Sequence, residues 1–233
     1  MKIGILLTGH CPDDFRGQYG NYDDFFKRLL AGNEFEYATY PVLDDVFPAG
    51  VREADGWLIT GSKHGVYEDL DWIARLEDFL RDAYSAEVPI VGICFGHQVL
   101  AQALGGKVEK FSGGWSVGVE TYNLDEQPEA TQLLAWHQDQ VVEPPPQAKV
   151  VGSSNFCRYA ALAYGEQAYS IQPHPEFDAG FVGGLIESRP GILPRDVTQR
   201  ALDSLDMETA SDRISSRIAD FFRRAQARGN PVD

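Results

Sequence analysis

Val88-Pro89-Ile90-Val91-Gly92-Ile93-Cys94-Phe95-Gly96-His97-Gln98 is the stretch on which the fold turns. Its first half is a short apolar run whose proline sits near the start, where a missing donor is tolerated, and it reads as a buried strand. Residues 95–104 read as a helix stopped by Gly105-Gly106. A strand entering a helix through Gly-x-Cys-x-Gly leaves one residue at a sharp reversal. Small residues at 92 and 96 let the turn close and the helix pack on the sheet. Cys94 is that residue, and open α/β sheets place their ligands at the carboxyl edge to which such a reversal lifts a side chain.

The same alternation continues on both sides. Residues 2–8 form a continuous apolar run, as in a strand buried on both faces. Tyr22, Phe25, Phe26, Leu29 and Leu30 fall on one helical face, and a strand follows around Phe35–Val42. Trp57-Leu58-Ile59-Thr60 is a further strand, ending at Gly61-Ser62, and Trp72, Ile73, Leu76, Phe79 and Leu80 mark another helix. This rhythm predicts an α/β fold: a flavodoxin-like, mostly parallel open sheet with helices on both faces. Beyond residue 107 the segments Lys107–Phe111, Val117–Leu124, Gln140–Glu143 and Ala148–Ser153 predict a small antiparallel sheet, with one helix near Pro128–Trp136. Gln167–Gln172 reads as a strand. The part from Asp178 reads as helical, with Thr209 and Asp212 as a capping box before Ile214, Ile218, Phe221 and Phe222. The expectation is one domain over 1–233, with a helical extension over about 178–233.

Composition narrows the function classes. Acidic residues outnumber basic ones 35 to 20, a formal charge of −15. A surface that negative repels phosphate backbones and anionic lipids, so neither nucleic acid nor a membrane is an expected partner. No run of 18 or more apolar residues occurs, and the apolar stretch at the start is shorter than a signal core, so it reads as a first strand. The three cysteines, Cys11, Cys94 and Cys157, are far apart, which argues for a reducing, cytoplasmic compartment. No Cys-x-x-Cys pair occurs, so neither a structural metal nor a cofactor is expected.

A thiol at such a turn needs a base. In Ser170-Ile171-Gln172-Pro173-His174-Pro175-Glu176-Phe177 two prolines flank His174, exclude a regular helix and impose an extended course. Residues two apart then share a face, so Glu176 can accept the far ring N–H of His174, fix its tautomer and stabilise the imidazolium. The start of a helix beside an imidazolium favours the thiolate that the chemistry requires. The Phe95 N–H, at the helix start, is a natural oxyanion donor. Among the other histidines, His97 is expected to pack or cap, His137 to lie near the site, His64 to flank it and His10 to be solvated.

These residues resemble the class I, triad-type glutamine amidotransferases in three ordered segments: Thr60-Gly61-Ser62, Gly92-Ile93-Cys94-Phe95-Gly96-His97-Gln98 and Gln172-Pro173-His174-Pro175-Glu176. Trp136-His137-Gln138-Asp139 is similar to a fourth family segment beside the glutamine pocket. The likeness covers about residues 1–180. It implies attack by Cys94 on an amide carbon, a γ-glutamyl thioester, proton transfer by His174 held by Glu176, and an oxyanion hole from the N–H groups of Gly61 and Phe95. It implies that Gln98 and His137 shape the substrate site.

The chain departs from the family in carrying Thr-Gly-Ser where biosynthetic members have Gly-Gly-Pro, and in having no P-loop or fused acceptor domain. Ser112-Gly113-Gly114-Trp115-Ser116 reads as a glycine turn rather than a pyrophosphate loop. The loop Gly61–Glu68 followed by Trp72-Ile73 resembles free-standing GMP synthase-like proteins and γ-glutamyl peptidases. The resemblance therefore implies glutamine hydrolysis with ammonia release, with a separate synthetase subunit as a partner. The alternative is hydrolysis of γ-glutamyl peptides or conjugates, and a third reading is a non-catalytic binding protein on the same scaffold.

Overall fold

The computed structural model describes residues 1–125 and 129–229. The chain opens with β1 (Lys2–Leu6), α1 (Asp13–Tyr19), α2 (Tyr22–Leu29), β2 (Glu36–Tyr40) and β3 (Gly56–Ile59). It continues through α3 (Asp71–Ser85), β4 (Ile90–Ile93) and α4 (Phe95–Ala103). Then follow β5 (Lys107–Lys110), β6 (Ser116–Leu124), β7 (Thr131–His137), β8 (Asp139–Glu143), β9 (Lys149–Ser154), β10 (Ala161–Tyr164) and β11 (Ala168–Ile171). Three helices end it: α5 (Ala179–Ser188), α6 (Arg195–Ser204) and α7 (Ser211–Gly229).

Nine strands form one sheet in the order β2-β1-β3-β4-β11-β10-β9-β6-β7. The β2-β1-β3-β4-β11 half is parallel, as the alternation predicted. The remaining strands continue it antiparallel, so of the four segments expected in a small antiparallel sheet only β5 and β8 form one, while those at 117–124 and 148–153 join the main sheet as β6 and β9.

Side-chain alternation divides the parallel half between two faces. Leu6, Trp57, Ile59 and Ile90 pack against Ile73, Leu76, Leu80, Val99 and Leu100 of α3 and α4. Ile3, Ile5, Leu58, Val91 and Ile93 pack on the other side against Phe26 of α2 and Ile214, Ile218 and Phe222 of α7. Both faces are covered, which is why these strands read as unbroken apolar runs.

One predicted helix is a strand. The helix expected near Pro128–Trp136 is instead the strand β7, which pairs antiparallel with β6 from Ser116↔His137 to Tyr122↔Thr131; Pro128 itself lies outside the described residues. Gln132-Leu133-Leu134-Ala135-Trp136 consists of residues with good helix propensity, but seven paired residues with Leu133, Leu134 and Ala135 buried override it. The capping box is also displaced. Helix α7 starts at Ser211, so Asp212 lies in its first turn and the Thr209 hydroxyl meets Ser211 Oγ at 3.3 Å. Residues 112–115 form a turn that leads into β6 at Ser116, with the Gly114 N–H donating to Phe111 O.

Candidate active site

Gly61, Cys94 and His174 follow the carboxyl ends of β3, β4 and β11, three adjacent parallel strands. Their convergence is thus set by the sheet. Cys94 has φ 54° and ψ −104°, a conformation that non-glycine residues rarely adopt. Its N–H donates to Ile171 O at 2.9 Å, tying the reversal to β11, and its carbonyl accepts from the Gln98 N–H as α4 begins. A Cβ at Gly92 would lie 2.4 Å from Gly96 O, and one at Gly96 would lie 2.5 Å from Ile59 O. Backbone meets backbone at both points, so only glycine fits there.

His174 is held on three sides. Its N–H donates to Leu134 O at 2.8 Å, and the two residues form an isolated antiparallel bridge. The strand that sequence reasoning took for a helix is therefore the one that anchors His174. The His174 Nδ1 lies 2.7 Å from Glu176 Oε1, with both side chains almost wholly buried. The Phe177 ring stacks on the imidazole at 4.0 Å between centroids and 3° between planes. A Cβ on Gly61 would stand 3.1 Å from His174 Cε1 and 3.9 Å from Cys94 Cβ, so Gly61 closes the remaining side.

Burial opposes a charge on this imidazole. The negative fields of Cys94 and Glu176, and hydrogen bonds to both, outweigh it and lift the His174 pKa to about 10. The ring is thereby held protonated at neutral pH. The other cysteines have no such environment: burial pushes the Cys157 thiol up to about 12 and raises that of Cys11.

Gly61 is fixed by Thr8, whose hydroxyl donates to Thr60 O at 2.9 Å and Gly61 O at 3.1 Å, while its N–H donates to Thr60 Oγ1. Among the described residues the N–H groups of Gly61 and Phe95 donate to no other group.

Sequence reasoning did not assign Gln172. Its amide N–H lies 3.6 Å from Cys94 Sγ, and its Oε1 accepts from Gln98 Nε2 at 3.0 Å. The signal was present, since Gln172 lies two residues before His174 in an extended segment and so shares its side. Gln98 lines the cavity but donates inward, to Gln172 and to Asp139 O at 2.8 Å. His137 is buried in the cavity wall with Nδ1 3.2 Å from Asp139 O, and burial holds it neutral, with a pKa of about 3. His97 meets Ser170 Oγ at 2.8 Å and is likewise kept neutral by burial. His64 bonds Glu68 at 2.9 Å on the cavity rim, and His10 bonds Asp44 at 2.8 Å, away from the site.

Cys94 opens into a cavity of about 490 Å³ lined by Lys63, Tyr67, Gln98, Trp136, His137 and Asp139 among others. A smaller one, about 60 Å³, lies on its His174 side. Among the described residues no group of three or more His, Cys, Asp or Glu side chains is placed to hold a metal ion, and no helix is long and apolar enough to cross a membrane.

The family model described as glutamine amidotransferase class-I matches residues 34–185. The chain belongs to the class-I glutamine amidotransferase family. Among its relatives in this family, Gamma-glutamyl peptidase 4 of Arabidopsis thaliana is 27% identical over 243 residues, spanning 97% of each chain. A GMP synthase [glutamine-hydrolyzing] of Azoarcus sp. is 34% identical over 168 residues, covering 64% of this chain but 31% of its own. The crystal structure of a glutamine amido transferase from Methylobacillus flagellatus superposes with a TM-score of 0.73 at 21% identity, covering 100% of this chain and 96% of that one. The likeness in fold includes the C-terminal helices.

Proposed function

We propose that the protein hydrolyses γ-glutamyl amide bonds through a thioester on Cys94. The observation that carries this is the buried His174 ring, bonded to Glu176 and gathered with the strained-elbow Cys94 and Gly61 at the ends of three adjacent strands.

The Cys94 thiolate attacks the γ-carbonyl carbon. The oxyanion forms against the N–H groups of Gly61 and Phe95, donors with no competing acceptor. When the tetrahedral species collapses, the C–N bond breaks and the departing amine takes a proton from the His174 imidazolium. Neutral His174 then removes a proton from water, which attacks the thioester. Collapse of the second tetrahedral species returns glutamate and the thiolate, and the imidazolium is restored. Glu176 fixes the ring tautomer throughout. The Gln172 amide, braced by Gln98, donates toward the sulfur and stabilises its charged form.

Two substrate readings compete. A γ-glutamyl peptide or conjugate is favoured by the 490 Å³ cavity, which has room beyond a single amino acid, and by similarity to the γ-glutamyl peptidases over nearly the whole chain. Glutamine, with ammonia passed to a separate synthetase subunit, is supported by the likeness to GMP synthase. The test is kcat/KM for glutamine and for a series of γ-glutamyl dipeptides, in wild type and Cys94→Ala. Faster turnover of the dipeptides, lost in Cys94→Ala, supports the first reading. Turnover of glutamine alone selects the second, and undiminished turnover in Cys94→Ala removes both.

A further inference from the structure

Around the two cavities at Cys94 the acidic and basic side chains are satisfied differently. The lining carboxylates are engaged. Glu68 holds His64 and the Gly65 N–H, at 2.9 and 2.6 Å; Asp139 accepts from the Tyr67 hydroxyl at 3.1 Å; Glu176 is buried against His174 through Oε1, its Oε2 buried without a partner. Among the described residues Lys63, Lys110 and Arg189 form no ion pair, although the chain carries fifteen more acidic than basic side chains. Of these three, Lys63 and Arg189 line both cavities.

Arg189 follows α5 in the segment Arg189-Pro190-Gly191-Ile192-Leu193-Pro194, outside residues 34–185 that define the family match. The segment is fixed in place: Leu193 is buried, two prolines restrict it, and the Arg189 N–H donates to Ile186 O. The guanidinium stands over the Trp136 ring, 5.7 Å from its centroid, and is half-buried. A fork of donors held over an aromatic ring is a preorganised site for a carboxylate.

The direction in which the amine must leave tells which carboxylate. Arg189 lines the smaller cavity with Gly61, His174 and Glu176, the side on which an amine protonated by His174 is released, and it also lines the larger cavity, which has room for the rest of that amine. Gln98, His137 and Asp139 line only the larger cavity. We infer that Arg189 binds a carboxylate on the leaving amine, so that the enzyme selects γ-glutamyl substrates whose departing group is an amino acid or peptide with a free carboxylate. This rests on the hydrolase reading above. Ammonia from glutamine offers Arg189 nothing to hold.

The test compares γ-glutamylglycine with γ-glutamylmethylamide, which share the scissile bond and differ by the carboxylate. The quantity read is the ratio of their kcat/KM values, in wild type, Arg189→Gln and Arg189→Lys, with thermal melts establishing that each variant is folded. Wild type favours γ-glutamylglycine. Loss of one charge-assisted interaction lowers the ratio in Arg189→Gln by about 10- to 100-fold, and Arg189→Lys recovers part of it. An unchanged ratio in folded Arg189→Gln overturns the assignment. So does wild-type turnover without preference for the carboxylate, which leaves the hydrolase reading standing. Wild type inert toward glutamine and both γ-glutamyl amides would instead defeat the hydrolase reading.

Discussion

Replacing Cys94 by glycine should leave the protein more stable than replacing it by alanine. The backbone at Cys94, φ 54° and ψ −104°, lies outside even the left-handed helical region, and a β-carbon held there costs about 1–3 kcal/mol. Alanine removes the sulfur and keeps that β-carbon, so the strain remains. Glycine removes the strain but adds about 0.4–1 kcal/mol of chain entropy to the unfolded state. The balance favours Cys94→Gly over Cys94→Ala by up to about 2 kcal/mol. In a chain of this size that is a rise of up to roughly 4–8 °C in Tm. Differential scanning calorimetry of the two variants, both lacking the thiol, isolates the backbone contribution. A glycine variant less stable than the alanine one, by the entropic amount, would mean that the turn holds no strain. The argument that the fold forces this residue into the site would then fail.

Glu176→Gln should lower kcat/KM by about 10- to 100-fold, the loss of a charge-assisted hydrogen bond, while Cys94→Ala and His174→Ala abolish turnover. Retained full activity in Glu176→Gln would remove its orienting role. The His174 pKa, raised from 6.5 to about 10, also sets a stability window. Its contribution is complete below pH 6.5 and is lost as the pH rises through about 10. Melting temperatures between those limits should fall more steeply for wild type than for Glu176→Gln, and parallel curves would contradict the coupling. Gly92→Ala should unfold the elbow or cost several degrees of Tm, because its Cβ would strike Gly96 O at 2.4 Å. Gly17→Ala, in α1 with nothing within 4 Å of the added carbon, should instead stabilise by about 0.5–1 kcal/mol, readable in a denaturant melt.

What was legible in the sequence was whatever short-range pattern dictates. Unbroken apolar runs gave the parallel strands, and glycines at 92 and 96 marked a reversal whose close backbone approaches admit no side chain. Two prolines and a spacing of two placed Glu176 on His174. What was not legible depends on pairing across the chain. Residues 131–137 have helical composition, and only their ladder with β6 makes them the strand that anchors His174. The strand β10, Ala161–Tyr164, is four residues long and sits between two partners, so its pattern is too short to read alone. Arg189 belongs to no motif; it reaches the site because α5 ends over Trp136.

The most direct test of the central claim is mass spectrometry of enzyme quenched with acid during turnover of a γ-glutamyl amide. A single added γ-glutamyl group on the peptide carrying Cys94, absent from Cys94→Ala, is the expected result. Steady turnover with Cys94 never modified, or an adduct on any other residue, would contradict it.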